Sequence, residues 1–314
     1  MPEVDILMAA YNGEEFIAEQ IDSILGQTFQ DFRLLIRDDG STDNTPAIIE
    51  EYAQKYPGKI EVVHDDVGCR NHAKNFMELL KHAEADYVMF SDQDDYWLPY
   101  KVQVSLWHIK ETERKNPGLP VLVFSGMHVV DEKLQSMDRF AQFALERTEY
   151  KRFTNMLLSN VVSGCTSILN KALYSKCKGY IDGMPFGHDN VLATLSAICG
   201  VLEHIPAAMI LYRQHQNNKS GYMGVGGGHG YFVNWMIKLW GLRKASNIKR
   251  KCDFLRENYF DIIPPENMEE LNKFEALLNR NKIVKFFMLL FGKGYKLEGR
   301  LFCRIKYFLR FVLS

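Results

Sequence analysis

The segment SDQDD, residues 91–95, brings three carboxylates within four positions directly after the apolar run DYVMF, which predicts a buried strand. Two carboxylates at about 4 Å repel by about 4 kcal/mol at an effective dielectric near 20. A hard cation such as Mg²⁺ or Mn²⁺, which takes one or two carboxylates together with waters and substrate phosphates, would offset that repulsion. The spacing therefore predicts a metal site at Asp92 and Asp94. Asp95 is either a third acid of this site or the cap of the helix expected after it, and we favour the cap.

The elements that position these acids alternate between strand and helix over the first hundred residues. Apolar runs predict strands in VDILMAAY, FRLLIRDDGS, KIEVVHDD and DYVMFSDQDD, with helical spacing between them. This βαβαβαβ order predicts an α/β fold with a parallel, doubly wound sheet. Ligands of such sheets bind beyond the carboxyl ends of the strands, where YNG, DDGSTD, HDD and SDQDD would converge.

The C-terminal third has a different pattern. The glycine-rich segment SGYMGVGGGHG predicts a boundary, so residues 1–222 would form the α/β domain and residues 223–314 a helical extension. Residues 281–314 carry eight Lys or Arg against one acid, Glu298, interspersed with apolar residues at near-helical spacing. Such a segment favours peripheral binding to an anionic membrane. Packing on the α/β domain and a homodimer contact are the alternatives.

Composition excludes several classes of protein. The net charge of −1 gives no overall attraction for nucleic acid. The six cysteines lack paired spacing, which favours a reduced, cytoplasmic chain. No signal peptide is expected, and no stretch reaches the ~20 apolar residues that span a bilayer.

DDGSTDNT has neither a Walker pattern nor GxGxxG, so it does not predict a phosphate loop of those types.

Six segments, in order along residues 2 to about 222, resemble family 2 glycosyltransferases: AAYNGEEFIAEQIDSILGQT, IRDDGSTDNT, SDQDDYWLPYK, GCTSILNK, HDNVLA and YRQHQNN. The bacterial rhamnosyltransferase-like members, which build O-antigen and capsular polysaccharide, are the most similar. The resemblance implies the GT-A fold, with a Rossmann-like, mostly parallel sheet flanked by helices. It also implies a nucleotide-sugar donor, a divalent cation and inversion at the anomeric carbon.

The resemblance further assigns roles to residues on the donor side. The positions matching the base-binding strand end are Ala10, Tyr11 and Asn12. Asp39 would contact the base or ribose. The segment GCRNHAKNF departs from the family pattern by its extra basic residues, of which Lys74 or Arg70 would reach the donor phosphates. Asp94 would be the direct metal ligand, Asp92 would contact the ribose or the metal, and His215 would contribute the third protein group at the metal.

On the acceptor side, the resemblance places the catalytic base at Asp189, beside His188. The alternative is that Asp189 only caps the helix that follows. Because a carboxylate at a helix N-terminus is favoured as the anion, we expect a low pKa for this residue. The segment Gly164, Cys165 and Thr166 would let the backbone approach the acceptor.

The function expected from this resemblance is transfer of L-rhamnose from dTDP-L-rhamnose to a lipid-linked or oligosaccharide acceptor, at the inner face of the plasma membrane. A transferase using a UDP-hexose or UDP-HexNAc, a non-catalytic scaffold of the same fold, and an enzyme that only hydrolyses nucleotide sugars are the alternatives. A nucleotidyltransferase is disfavoured, because AAYNGEEF lacks a glycine-rich basic loop.

Overall fold

The computed structural model describes residues 1–65, 67–68, 71–137, 153–158, 160, 162–177, 184–216 and 245–278. The basic tail, the glycine-rich segment, the boundary at residue 222 and Arg70 lie outside these ranges. Among the described residues, none of the helices combines the length and apolar character that crossing a membrane requires.

One eight-stranded sheet organises the molecule. Its strands are β1 Val4–Ala10, β2 Phe32–Asp38, β3 Ile60–Val62, β4 Tyr87–Asp92, β5 Tyr96–Trp97, β6 Val121–Val130, β7 Ser167–Asn170 and β8 Val201–Arg213. They are arranged in the order β3-β2-β1-β4-β7-β6-β8-β5. The first four strands are parallel, as the alternating pattern predicts. β7 runs antiparallel between β4 and β6, so the second half of the sheet is mixed.

Helices cover both faces of the sheet. They are α1 Ile17–Leu25, α2 Thr45–Lys55, α3 His72–Leu80, α4 Lys101–Lys115, α5 Phe153–Leu158, α6 Lys171–Tyr174, α7 His188–Cys199, α8 Ala245–Tyr259 and α9 Pro265–Leu278. Successive side chains of a strand point to opposite faces. Accordingly, Ile6 and Met8 of β1 pack with α1 and α4, whereas Leu7 packs with α3 and α7.

The last two helices of the described residues, α8 and α9, belong to the apolar layer that contains Leu7. Cys252 and Leu255 of α8 and Phe274 of α9 are buried in the same core as Leu192 of α7. The predicted helical character of this part of the chain is thus present over residues 245–278, and these helices pack against the α/β core. A separate domain beginning at residue 223 stays a prediction.

The parallel strands end at a common edge, which positions the polar segments. Ala10, the last residue of β1, is in register with Asp38 of β2, and the preceding Ala9 is in register with Asp92 of β4. The acids after β2 and β4 therefore flank the residues that follow β1. This is the edge at which ligands of parallel sheets bind.

Candidate active site

The loops that follow β1 and β2 are joined by hydrogen bonds. The Asn12 N–H donates to Ser41 Oγ at 2.7 Å, and the Thr42 N–H donates to Asn12 Oδ1 at 2.8 Å. Asn12 has a φ of 48°, in the left-handed region that asparagine tolerates better than most residues. The Gly13 N–H donates to Thr45 Oγ1 at 2.8 Å. This network, which we call the donor edge (residues 11–14 and 38–45), holds Tyr11 with its side chain largely exposed.

The two consecutive acids at the end of β2 have different partners. The Asp38 carboxylate accepts the N–H groups of Gly40 and Ser41 at 3.0 and 2.8 Å, so it closes a turn. The Asp39 carboxylate lies 3.6 Å from a guanidinium nitrogen of Arg37. Its backbone N–H donates to the Ala10 carbonyl at 2.9 Å. Asp38 therefore has a turn-forming role, whereas Asp39 faces Arg37, and its contact with a donor stays a prediction.

Arg37 is a site residue that the sequence analysis missed. Its guanidinium is buried and donates twice to Asp65, at 2.9 and 2.7 Å, and once to Asn75 Oδ1 at 2.9 Å. The hydrogen bond from Arg37 lowers the pKa of Asp65 to about 2. Arg37 thus joins β2, the segment after β3 and α3 beneath Asp39. An arginine within the apolar run FRLLIRD was the only signal available.

The two candidate metal ligands at the end of β4 each contact a histidine. The Asp94 carboxylate lies 2.8 Å from His215 Nε2, although 121 positions separate the two residues. The Asp92 carboxylate lies 3.0 Å from His72 Nε2. Burial raises the pKa of Asp92, but the hydrogen bond and charge of His72 and the charge of His188 outweigh it and leave the pKa below its ordinary value.

Arg213 fixes the acidic segment from the other side. Its guanidinium is buried, donates to the Asp94 carbonyl at 2.8 Å and pairs with the Glu19 carboxylate. The guanidinium also stacks over the Phe16 ring, with 4.6 Å between its carbon and the ring centroid. Arg213 therefore links the segment after β4 to α1 and β8, and so holds Asp94 next to His215.

The prediction that Asp95 caps a helix is wrong. The residues after it form the short strand β5, and α4 begins only at Lys101. Asp95 is fully buried and accepts the Arg213 N–H at 3.3 Å. Burial, together with the charges of Asp92 and Asp94, raises its pKa well above the ordinary value. Asp95 is thus an interior carboxyl beneath the site.

These residues fit a hard cation at the outer acids. The side chains of Asp92 and Asp94 are 24% and 18% exposed, and carboxylate oxygens suit Mn²⁺ or Mg²⁺. Among the described residues, Asp92, Asp95 and Cys165 bring ligand atoms within 4.8 Å of one another. A thiol and a carboxyl of raised pKa are poor ligands for such ions, so the inner group favours a structural role.

Asp189 lies in the first turn of α7. Its carboxylate accepts the Asn160 side-chain amide at 2.9 Å and the Asn190 N–H at 2.7 Å. The expected low pKa is wrong, because burial outweighs the helix terminus. Burial raises the pKa of Asp189 to about 6, with Asp92 adding to the rise and the Asn190 N–H, His72 and Asn160 opposing it. Such a carboxyl is poised to accept a proton near neutral pH.

The residues predicted on the acceptor side lie in the interior. Gly164, Cys165 and Thr166 form a short, buried 3₁₀ turn. A methyl group at Gly164 would lie 2.5 Å from His188 Nε2, so the glycine makes room for that ring. His188 also packs against Phe76, with ring centroids 4.3 Å apart. Acceptor contact by these residues stays a prediction.

Two further residues have defined positions. Lys74 lies in the first turn of α3, where its backbone N–H donates to the capping side chain of Asn71 at 3.2 Å, and its contact with donor phosphates stays a prediction. Gln93, between the two candidate metal ligands, was missed. Its side-chain oxygen accepts the Tyr11 N–H at 2.7 Å. Its position within SDQDD was the available signal.

Comparison with known proteins agrees with this geometry. The model of the family described as "Glycosyl transferase family 2" matches residues 5–176. The chain is 30% identical over 226 residues, which are 68% of this chain and 73% of the relative, to the dTDP-rhamnosyl transferase RfbG of Shigella flexneri.

Solved structures share the fold. TarS of S. aureus, solved in complex with UDP-GlcNAc, is similar with a TM-score of 0.56 at 18% identity, over 99% of this chain and 89% of TarS. The mannosyltransferase PcManGT of Pyrobaculum calidifontis, solved with GDP-Man and Mn²⁺, has a TM-score of 0.55 at 17% identity, over 92% of this chain and 72% of that protein. With its GT-A sheet and a family match over more than half its length, the chain belongs to glycosyltransferase family 2 and is a glycosyltransferase.

Proposed function

We propose that this enzyme transfers L-rhamnose from dTDP-L-rhamnose to a saccharide acceptor of a bacterial surface polysaccharide, with inversion at the anomeric carbon. One observation carries the reaction type. Asp189, a partly exposed carboxylate with a pKa of about 6, follows His188, whose ring centroid is 5.6 Å from that of His72, the histidine that contacts Asp92. The similarity to the dTDP-rhamnosyl transferase RfbG supports the choice of donor.

On the donor side, the nucleotide base stacks or packs on Tyr11, next to Ala10 and Asn12. Asp39 accepts a hydrogen bond from the nucleotide base or the ribose. Asp94 and His215 would hold Mg²⁺ or Mn²⁺, with Asp92 at the ribose or the metal. A cation bound there would supply positive charge to the departing diphosphate. Lys74 contacts the phosphates. The exposure of Tyr11 and the carboxylate–imidazole set support this arrangement.

On the acceptor side, Asp189 takes the proton from the attacking hydroxyl. As that proton moves to the carboxylate, the hydroxyl oxygen bonds to the anomeric carbon, and the bond from that carbon to the diphosphate breaks on the opposite face. Asn160 and the Asn190 N–H orient the carboxylate. The acceptor approaches the α7 terminus, near the turn at residues 164–166.

A UDP-sugar is the second candidate donor, since TarS, which shares the fold, was solved with UDP-GlcNAc. A non-catalytic scaffold is disfavoured, because Asp92, Asp94, Asp189 and His215 are all present. We further propose that the basic tail of residues 281–314 holds the enzyme at the inner face of the plasma membrane, where a lipid-linked acceptor would lie. A homodimer contact is the alternative role for this tail.

A donor screen tests the proposal. The melting temperature of the chain should rise with dTDP-L-rhamnose in the presence of Mn²⁺ or Mg²⁺, because a ligand that binds the native state alone stabilises it. UDP-glucose and UDP-GlcNAc should produce smaller shifts, and EDTA should reduce the shift with dTDP-L-rhamnose. A larger shift with a UDP-sugar would mean that the donor is a UDP-sugar and not dTDP-L-rhamnose. No shift with any nucleotide sugar would overturn the proposal.

A further inference from the structure

We propose that Gln93 is the positioning residue that ties the base-binding platform at Tyr11 to the metal-binding segment, so that the enzyme recognises the base and the metal-bound diphosphate as one unit. This inference rests on the proposed function, which places the base at Tyr11 and the cation at Asp94. Gln93 itself contacts neither ligand. Its effect on binding passes through Tyr11.

The first observation is a pair of hydrogen bonds from one side chain to one backbone unit. Gln93 Oε1 accepts the Tyr11 N–H at 2.7 Å, and Gln93 Nε2 donates to the Tyr11 carbonyl at 2.9 Å. The amide thus satisfies both backbone groups of Tyr11, as a neighbouring strand would. Only an amide side chain of this length can donate and accept in this way, because a carboxylate only accepts.

The second observation concerns the residue that follows the platform. A methyl group at Gly13 would lie 2.4 Å from Gln93 Cδ and 2.5 Å from Oε1, well inside van der Waals contact. The absence of a side chain at position 13 therefore creates the space that the Gln93 amide occupies. The φ of Gly13 is not in the left-handed region, so the backbone itself does not require glycine here.

The third observation is that the segment carrying Gln93 is held on its other side. Arg213 donates to the carbonyl of Asp94, and the Asp94 carboxylate contacts His215. The main chain of residues 92–94 is thereby anchored to β8, and the Gln93 side chain extends from this anchored segment to Tyr11. Tyr11, which is 54% exposed, is held at its backbone by this amide.

The test separates binding of the nucleotide base from binding of the diphosphate. Calorimetry in the presence of Mn²⁺ should measure the affinities of dTDP, UDP and inorganic pyrophosphate for the full-length chain. For Gln93→Ala we expect affinity for the preferred nucleotide to fall about 5- to 20-fold, the equivalent of about 1–2 kcal/mol. Pyrophosphate affinity should change less than about twofold, because the metal-binding groups remain.

Three further variants make the test specific. Gly13→Ala should reproduce the selective loss, since its methyl displaces the flexible Gln93 amide and leaves the fold intact. Tyr11→Ala combined with Gln93→Ala should lose little more than Tyr11→Ala alone, because both act on one platform. Gln103→Ala is the matched control: this glutamine on α4 accepts a hydrogen bond from Thr28 Oγ1 at 2.8 Å and should leave both affinities unchanged.

Each outcome decides a separate point. An equal loss of nucleotide and pyrophosphate affinity in Gln93→Ala would mean that the residue acts on the metal segment, and would overturn the inference. Unchanged nucleotide affinity would overturn it as well, while leaving the proposed function standing. If the wild-type chain bound neither nucleotide, the proposed function would fail and this inference with it.

Discussion

The donor edge differs from the interior beneath the proposed catalytic residues, which we call the catalytic interior (Asp95, Lys101, Asn190 and Thr194), in how far the polar groups are hydrogen-bonded. At the donor edge, four consecutive backbone N–H groups each donate to a side-chain oxygen from another segment; they belong to Tyr11, Asn12, Gly13 and Glu14. In the catalytic interior, within the described part of the chain, several buried polar atoms lack a hydrogen-bond partner; they include Asp95 Oδ2, Lys101 Nζ, Asn190 Oδ1 and Thr194 Oγ1.

This difference shows two ways of preparing a site. The donor edge is organised in advance, so binding a nucleotide there need not order the loops. The catalytic interior instead keeps charged groups under a desolvation penalty, which shifts their pKa values. Burial lowers the pKa of Lys101 to about 7 and raises that of Asp189 to about 6. Shifted titration of this kind suits proton transfer and costs stability.

The largest expected effect concerns the catalytic side alone. Asp189→Asn should lower kcat by about 10²- to 10⁴-fold, the usual contribution of a general base, while donor affinity stays within about twofold. Radiolabelled transfer assays and calorimetry with dTDP-L-rhamnose measure the two quantities. Glu111→Gln, which changes an exposed acid on α4, serves as the control. Loss of donor binding in Asp189→Asn would mean that Asp189 acts in donor binding and not as the catalytic base.

The next effect follows from the raised pKa of Asp189. The base works in its ionised form, so kcat/KM should be level above about pH 6 and fall about tenfold per pH unit below it. Measuring kcat/KM from pH 4.5 to 8 locates this fall, the acidic limb of the profile. Asn160→Ala removes a hydrogen bond that favours the ionised form, so the limb should move to higher pH. A limb near pH 4 in the wild type would mean that burial does not control this group.

The smallest expected effect comes from the same substitution, Thr→Val, made once in each region. Thr45 and Thr194 are both fully buried on helices, but Thr45 Oγ1 accepts the Gly13 N–H, whereas Thr194 Oγ1 is among the unpaired atoms of the described residues. Thr45→Val should lower the free energy of unfolding by about 1–3 kcal/mol, because it leaves a buried N–H unpaired. Thr194→Val should be neutral or stabilising by up to about 1 kcal/mol. Urea unfolding measures both, and equal losses would contradict the contrast.

The parallel half of the sheet and the edge where the polar segments meet could be predicted from local patterns alone. Apolar runs such as VDILMAA and FRLLIRD mark buried strands, and the polar residues after them mark the strand ends. The antiparallel insertion of β7 could not be predicted, because pairing of Met89 with Ile168 depends on contacts between distant segments. The assignment of Asp95 failed for a similar reason: the helix that it was expected to cap begins six residues later.

The sequence by itself determined the order of strands and helices as far as β4, and the family, since periodicity and short motifs are local properties. Only the tertiary structure decided which of several adjacent acids has which environment. Asp38 closes a turn while Asp39 meets Arg37, and Asp94 contacts His215 while Asp95 is buried beneath it. The same holds for Asp189, whose pKa is raised by burial despite its place at a helix N-terminus. A carboxylate's charge and partners depend on desolvation and on residues far along the chain, and these exist only once the chain has folded.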